Sequence, residues 1–106
     1  MPATYRILLT RQSYLGLEEI FDYIQQDSPH NAAQFIAKIL DAIDSLKQFP
    51  NRNAIAGRTR KRKSQVHRAM VKPYLIYYRI DEKNETVTVL RVLHGARRQP
   101  KRFEDE

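Results

Sequence analysis

Histidine and arginine side chains in the second half of the chain are the groups most suited to chemistry. His67 is followed directly by Arg68, and Arg97 follows three residues after His94. Histidine can accept and donate protons near neutral pH, and arginine keeps its charge and binds phosphate. If the segments that carry them are neighbouring strands, the four side chains could border one groove. Acid–base groups beside cations would suit proton transfer on an anionic substrate.

The same histidines also fit a structural role, which we favour. The ring of His94 can hydrogen-bond the backbone of a turn before Gly95, and His67 can lie on the surface of a strand. His30 begins a predicted helix and is expected on the surface of that helix. Because the chain has no cysteine and its three histidines are scattered, we expect neither a metal site nor a cofactor.

The segments around these side chains alternate with the period of β-strands. Residues 66–72, 74–81 and 86–98 carry β-branched and aromatic side chains at every second position. This alternation puts Tyr77 and Arg79 on one face of the second strand. The polar link at 81–85 predicts a hairpin, so the three strands should form an antiparallel meander. In the third strand, the residues expected on one face are Val87, Val89, Arg91 and Leu93.

The first half of the chain predicts a strand and two helices. Residues 4–10 favour a strand, and apolar residues at helical spacing predict helices over 14–26 and 29–47. Ser13 and Ser28 are the expected N-terminal caps. Because almost no loop separates the helices, they should form an antiparallel hairpin. The expected fold is α+β: an N-terminal strand, a two-helix antiparallel hairpin and a three-stranded antiparallel meander, in the order β-α-α-β-β-β.

The length of 106 residues predicts a single domain over 1–106. Residues 51–65 have little periodicity and are expected to form a basic loop, and residues 99–106 a short C-terminal tail. The chain lacks an apolar run of 18 residues and a leader with a cleavage site, so we expect no membrane span and no signal peptide. The lack of cysteine fits a reducing compartment, and we expect a cytoplasmic protein.

Positive charge is concentrated in one part of the chain. The total net charge is +7, but residues 52–102 carry +12, against −2 for residues 1–51 and −3 for residues 103–106. Such a field attracts a polyanion or an acidic protein partner, although a basic loop can also serve solubility alone. The residues predicted to contact a target or partner are Arg58, Arg60, Lys61, Arg62, Lys63, Arg68, Tyr77, Arg79, Arg91, His94, Arg97 and Arg98.

The sequence resembles the RelE/ParE family, the toxins of bacterial type II toxin–antitoxin pairs. The order of the predicted elements, the segment YLIYYR at 74–79 and above all the ending VLRVLHGARR at 89–98 carry this resemblance. The family that it resembles has two functional branches. RelE-like members are ribonucleases that cut messenger RNA on the ribosome, whereas ParE-like members poison DNA gyrase and are not enzymes. Members of both branches are held inactive by an antitoxin, part of which is disordered and wraps the toxin.

Two positions favour the ParE-like branch. Leu75 stands where the resemblance implies an arginine in RelE-like enzymes, and Phe103 lies near the place of a late tyrosine. The ending His94-Gly95-x-Arg97 is also more similar to that branch. We therefore expect a growth-inhibiting toxin that binds DNA gyrase and is neutralised by an antitoxin with an acidic toxin-binding segment.

Two alternatives remain open at this point. One is a ribosome-dependent mRNA endonuclease, and the other is a nucleic-acid-binding domain without toxicity. For the endonuclease, the candidate catalytic residues are His67, Arg68, His94 and Arg97.

Overall fold

The elements of the chain follow the predicted order of strand, two helices and meander. A computed structural model describes residues 4–104. The elements are β1 (Arg6–Leu9), α1 (Arg11–Gln25), α2 (Pro29–Ser45), β2 (Ile55–Thr59), β3 (Gln65–Val71), β4 (Tyr74–Asp81), β5 (Thr86–His94) and β6 (Arg102–Phe103). A 3-10 turn, Pro50–Arg52, joins α2 to β2. No helix within residues 4–104 is both long and apolar enough to cross a membrane.

The strands form one six-stranded sheet in the order β1-β5-β4-β3-β2-β6. The antiparallel meander β3-β4-β5 is confirmed and lies at its centre. β1 joins β5 in parallel, and β6 joins β2 in parallel. The prediction of an irregular loop over 51–65 is wrong, because this range includes the end of the 3-10 turn and the whole of β2. Within the described part of the predicted tail, Arg102–Phe103 form β6. The neighbouring strands, rather than a local alternating pattern, hold β2 in place.

A β-bulge interrupts the alternation of β5. Two consecutive residues of β4, Tyr77 and Tyr78, pair with residues of β5 that are two apart, so Leu90 is an additional residue. Beyond the bulge, Val92 faces the helices and Leu93 faces the opposite side. The prediction of one continuous alternating face is therefore wrong. That face was expected to hold Val87, Val89, Arg91 and Leu93.

The two helices begin at hydroxyl caps. The Thr10 side chain caps α1 by accepting a hydrogen bond from the backbone N–H of Ser13, at 3.1 Å. Ser13 was the predicted cap, but it lies buried within the first turn, so α1 begins earlier than predicted. The prediction for α2 is confirmed, since the Ser28 hydroxyl accepts from the backbone N–H of Asn31 at 3.2 Å.

The sheet carries an apolar layer on each face. The larger layer lies between the sheet and the helices, where residues such as Ile39 and Ile76 are fully buried. Gly16 lets α1 approach the sheet closely, because a Cβ atom there would lie 2.5 Å from the carbonyl oxygen of Val92. We call the opposite side of the sheet the outer face. Its smaller layer consists of Val66, Leu75, Tyr77, Leu90, Leu93 and Phe103.

The turn between β4 and β5 is closed by side-chain hydrogen bonds. Both the backbone N–H and the side-chain amide of Asn84 donate to the carboxylate of Asp81, at 3.1 and 2.8 Å. These bonds hold the pKa of Asp81 below its ordinary value, because they stabilise the charged form. The predicted hairpin over 81–85 is therefore present.

The buried hydroxyl of Tyr78 fixes the segment that follows α2. It donates to the carbonyl oxygen of Pro50 and accepts from the side-chain amide of Asn53 at 2.9 Å. Burial is the main cause that raises the pKa of Tyr78. The 3-10 turn is thus attached to the centre of the sheet.

We expect Tyr78→Phe to lower the free energy of unfolding by about 1–3 kcal/mol, because it leaves the buried carbonyl of Pro50 and the partly buried amide of Asn53 without their partner. Urea denaturation of the purified protein measures this change. Tyr74→Phe is the matched control, since it removes a hydroxyl from a buried tyrosine of the same strand. An equal effect of the two substitutions would contradict the role given to the Tyr78 hydroxyl.

Candidate functional site

Arginines from the central strands gather on the outer face. Arg68 of β3 pairs with Tyr77 of β4, which in turn pairs with Arg91 of β5. Since neighbouring strands are about 4.8 Å apart, the two arginine backbones lie roughly 10 Å apart in one row. Arg79 lies two residues along β4 and projects from the same face. The fold therefore brings three of the predicted contact residues together.

Tyr77, which was predicted to contact a target, lies inside the protein. Its side chain is 1% exposed, and its hydroxyl donates to Oε1 of Gln99 at 2.6 Å. The ring packs against Phe103, with ring centroids 4.8 Å apart. The prediction of a surface position for Tyr77 is therefore wrong, because the C-terminal tail covers it.

Residues 99–104 of the tail cover part of the outer face, where Gln99 and Phe103 contact Tyr77. The side-chain amide of Gln99 donates to the carbonyl oxygens of His94 and Arg97, at 3.0 and 2.6 Å. Gly57 allows the tail to lie close to β2, because a Cβ there would meet the carbonyl oxygen of Lys101 at 2.5 Å. Sequence reasoning missed this covering. The signal available in the sequence was Phe103, since a single aromatic residue among charged neighbours indicates that this part of the tail packs on the protein.

His67 faces the helices and supports the backbone. It is 8% exposed, and its Nδ1 lies 2.7 Å from the carbonyl oxygen of Asn53. A carbonyl oxygen only accepts, so we assign the proton to Nδ1. The ring also stacks on Tyr78, with centroids 5.5 Å apart. Since alternate residues of a strand point to opposite faces, His67 and Arg68 do not share a site.

His94 terminates β5 and makes the turn contact expected of a structural histidine. Its Nδ1 accepts from the backbone N–H of Ala96 at 2.9 Å, so Nε2 carries the proton of the neutral ring. The ring also meets Tyr74 edge to face, with centroids 5.3 Å apart. The next residue, Gly95, donates its backbone N–H to the carbonyl oxygen of Pro73 at 2.7 Å.

The four candidate catalytic residues do not border one groove. The β4 partners of His67 and His94 are four residues apart, which is about 13 Å along the strand. Arg68 lies on the outer face. Arg97 forms an exposed ion pair with Glu19 of α1, at 3.1 Å. The hypothesis that these residues share one groove is therefore wrong.

An apolar groove lies between α1 and the end of β5, with a volume of about 430 Å³. We call it the α1–β5 groove. Tyr23, which is 72% exposed, stands at its edge, and Tyr74 contributes to its lining. Burial is the main cause that raises the pKa of Tyr74, which stays protonated at neutral pH. His94 and Arg97 border this groove. We call Arg68, Arg79 and Arg91 the arginine row; Arg97 also lines a second pocket together with Arg91 of that row.

The basic segment between β2 and β3 is exposed and partly fixed by its own contacts. Nη1 of Arg58 donates to the carbonyl oxygen of Lys63 at 3.1 Å, and Arg60 pairs with Glu104 at 3.2 Å. Lys61 and Arg62 lie at the exposed tip. Within residues 4–104, the structure places no three metal-binding side chains together.

A family model described as the ParE toxin of the type II toxin–antitoxin system parDE matches residues 7–99. The chain belongs to the RelE/ParE family of type II toxins. The resemblance seen in the sequence is thereby confirmed.

Two relatives of this chain are themselves named as toxins. Y4kP of Sinorhizobium fredii, named as a candidate toxin, is 34% identical over 96 residues, which are 90% of this chain and 93% of Y4kP. Toxin RelE2 of Caulobacter vibrioides is 30% identical over 92 residues, which are 87% and 97% of the two chains. In structure, a chain of the chromosomal ParDE system from P. aeruginosa shares the fold, with a TM-score of 0.66, 21% identity and coverage of 86% and 96%.

We expect Phe103→Ala to lower the free energy of unfolding by about 3–5 kcal/mol, because it removes the aromatic side chain that closes the outer layer. Phe103→Leu keeps most of the apolar volume and should lower it by less than about 1.5 kcal/mol. Urea denaturation of both variants measures the difference. If Phe103→Ala changed the stability no more than Phe103→Leu does, the covering role of the tail would be contradicted.

Proposed function

We propose that this toxin inhibits growth by binding a macromolecular target, and that the target is DNA gyrase. The main support is the composition of the outer face. Three arginines gather there, but both histidines that could transfer protons point to the other side of the sheet. Such a face can hold an anionic surface, whereas RNA cleavage also needs a base for the 2′-OH and an acid for the leaving oxygen.

Two apolar residues of the outer layer support the same proposal. Leu75 is 6% exposed and Phe103 is 2% exposed, so both belong to the packing of the sheet. These are the positions where the family resemblance implies an arginine and a tyrosine in the ribonucleases. A leucine has no charge to offer a phosphate, and a phenylalanine has no proton to give.

The charge distribution suits a binding mechanism. The +12 segment includes the arginine row and the basic loop, so the potential on this side should attract a partner of negative charge and orient it. The loop residues from Arg58 to Lys63 would act at long range, and Arg68, Arg79 and Arg91 would make the closer contacts. His94, Arg97 and Arg98 would contribute a second contact region near the α1–β5 groove.

We further propose that a cognate antitoxin with an acidic segment holds the toxin inactive in the cytoplasm. Two features support a docked partner. β1 lies at one edge of the sheet, and edge strands can accept an added strand or a covering helix. On β1, Leu8 is 48% exposed and offers an apolar contact. The charge of the +12 segment complements an acidic partner.

The gyrase proposal predicts that DNA synthesis fails first. After induction without antitoxin, incorporation of labelled thymidine should fall within minutes, before that of labelled methionine. The purified toxin should also inhibit supercoiling by gyrase. The inhibition of DNA synthesis and the inhibition of supercoiling should both weaken in Arg68→Gln, which removes a charge from the arginine row. Both should persist in Lys83→Gln, which removes a charge from an exposed turn.

A ribosome-dependent mRNA endonuclease is the second candidate, because a relative of 30% identity is named RelE2. In that case translation would fall first, and the gyrase proposal would be abandoned. His94→Ala separates the two further: loss of an acid or base lowers an enzymatic rate by about 10²-fold or more, whereas a binder loses one contact. A loss of that size would also contradict the structural role of His94.

The complex with the antitoxin should weaken as salt rises. Between about 0.1 M and 1 M salt the Debye length falls from about 10 Å to 3 Å, so attraction between an acidic segment and the +12 segment is screened. Titration calorimetry of the toxin with its cognate antitoxin at several salt concentrations measures this dependence. An affinity that does not change with salt would exclude the +12 segment as the contact surface.

A further inference from the structure

A polar pocket of about 280 Å³ lies where the start of α1, the bulge of β5 and the tail meet. It is separate from the α1–β5 groove and from the arginine row, apart from Arg91, which belongs to both the row and this pocket. Three arginines from three different segments converge on it, and we call it the arginine pocket. Its lining residues are Thr10, Gln12, Arg60, Leu90, Arg91, Pro100, Arg102, Phe103 and Glu104.

The backbone holds each arginine at this pocket. Arg91 follows the additional residue of the β5 bulge, and bulges redirect the side chains beside them. Arg102 lies in β6, which the ladder with β2 keeps in place. The backbone N–H of Arg60 donates to the carbonyl oxygen of Phe103 at 2.8 Å. Backbone hydrogen bonds therefore fix the main chain at all three arginines, whose side chains line the pocket.

One carboxylate already lies among these cations. Oε1 of Glu104 is 3.2 Å from Nε of Arg60, and the two side chains are 67% and 57% exposed. An ion pair this exposed contributes little to stability and opens readily. Glu104 can thus act as an internal anion that an external one displaces.

The charge of the pocket indicates the kind of anion it fits. Three guanidinium groups and one carboxylate leave a formal charge of +2. A phosphomonoester or free phosphate carries about −1.5 to −2 at pH 7, whereas a carboxylate or a backbone phosphodiester carries −1. Arginine also presents paired N–H groups that match phosphate oxygens. The start of α1 adds a partial positive charge from the helix dipole.

We propose that the arginine pocket binds a phosphate dianion, either free or as the monoester of a nucleotide or a nucleic-acid end, and that Glu104 competes with it. The apolar residues Leu90, Pro100 and Phe103 beside the arginines provide a surface for the group that carries the phosphate. This site goes beyond the proposed function, because it requires neither gyrase nor a ribosome as the target.

The test is a titration of the full-length toxin with inorganic phosphate at constant ionic strength, followed by NMR of the arginine Nε–H signals, with acetate as the reference anion. The double variant Arg91→Gln/Arg102→Gln should bind phosphate at least about tenfold more weakly, because it loses charge-assisted hydrogen bonds. Arg68→Gln/Lys72→Gln is the matched control. It removes two charges outside the pocket and should bind within about twofold of the parent protein.

Glu104→Gln tests the same proposal in the opposite direction, because it should raise the affinity for phosphate. Since it alters only an exposed side chain, it remains a valid test if the double variant does not fold. We expect it to bind phosphate about two- to threefold more tightly, because the competing carboxylate is removed. Any one of three results would overturn the proposal. The two double variants could lose phosphate affinity equally, acetate and phosphate could bind equally, or Glu104→Gln could fail to raise the phosphate affinity.

The source of the phosphate is distinguished by two further ligands. Adenosine monophosphate tests for a nucleotide, and a short oligonucleotide with and without a 5′-phosphate tests for a nucleic-acid end. If either ligand binds more tightly than inorganic phosphate, the apolar residues beside the arginines contact the group that carries the phosphate. Equal binding of all three assigns the pocket to free phosphate.

Discussion

The rest of the structure depends on two adjacent tyrosines at the centre of β4. Tyr77 and Tyr78 are buried on opposite faces of the sheet, and a buried hydroxyl requires a hydrogen-bond partner. Tyr78 finds it in the segment after α2, through Pro50 and Asn53, and Tyr77 finds it in Gln99 of the tail. A single dipeptide of the central strand therefore attaches an irregular segment to each side of the sheet.

This arrangement explains why cations and proton-transfer groups are separated. On the helix side, His67 stacks on Tyr78 and shares its neighbour Asn53, so its ring belongs to the core. On the outer face, the tail covers the apolar residues, while Arg68 and Arg91 remain on either side of Tyr77. The exposed chemistry of the toxin is therefore electrostatic, which is the common basis of the proposed target contact and the proposed phosphate site.

Much of the fold could be predicted from the sequence, because its largest elements have strong periodic patterns. The two helices and the meander follow from apolar spacing, and the cap at Ser28 follows from a hydroxyl before a proline. β2 and the tail could not be predicted in this way, since they depend on partners distant in the chain. The bulge at Leu90 was also hidden, because one additional residue changes a strand without changing its composition. The bulge nevertheless determines that Arg91 lies on the same face of the sheet as Arg68.

The parallel pairing of β1 with β5 has a consequence for how the toxin is made. Arg6 lies opposite Thr86, so β1 has no partner in the sheet until β5 has been synthesised. The helices that follow β1 lack the central strands on which they pack until then. Contacts between such distant segments form slowly. A nascent or truncated chain that lacks β5 cannot complete this sheet, so the complete surface appears only after β5 has been synthesised.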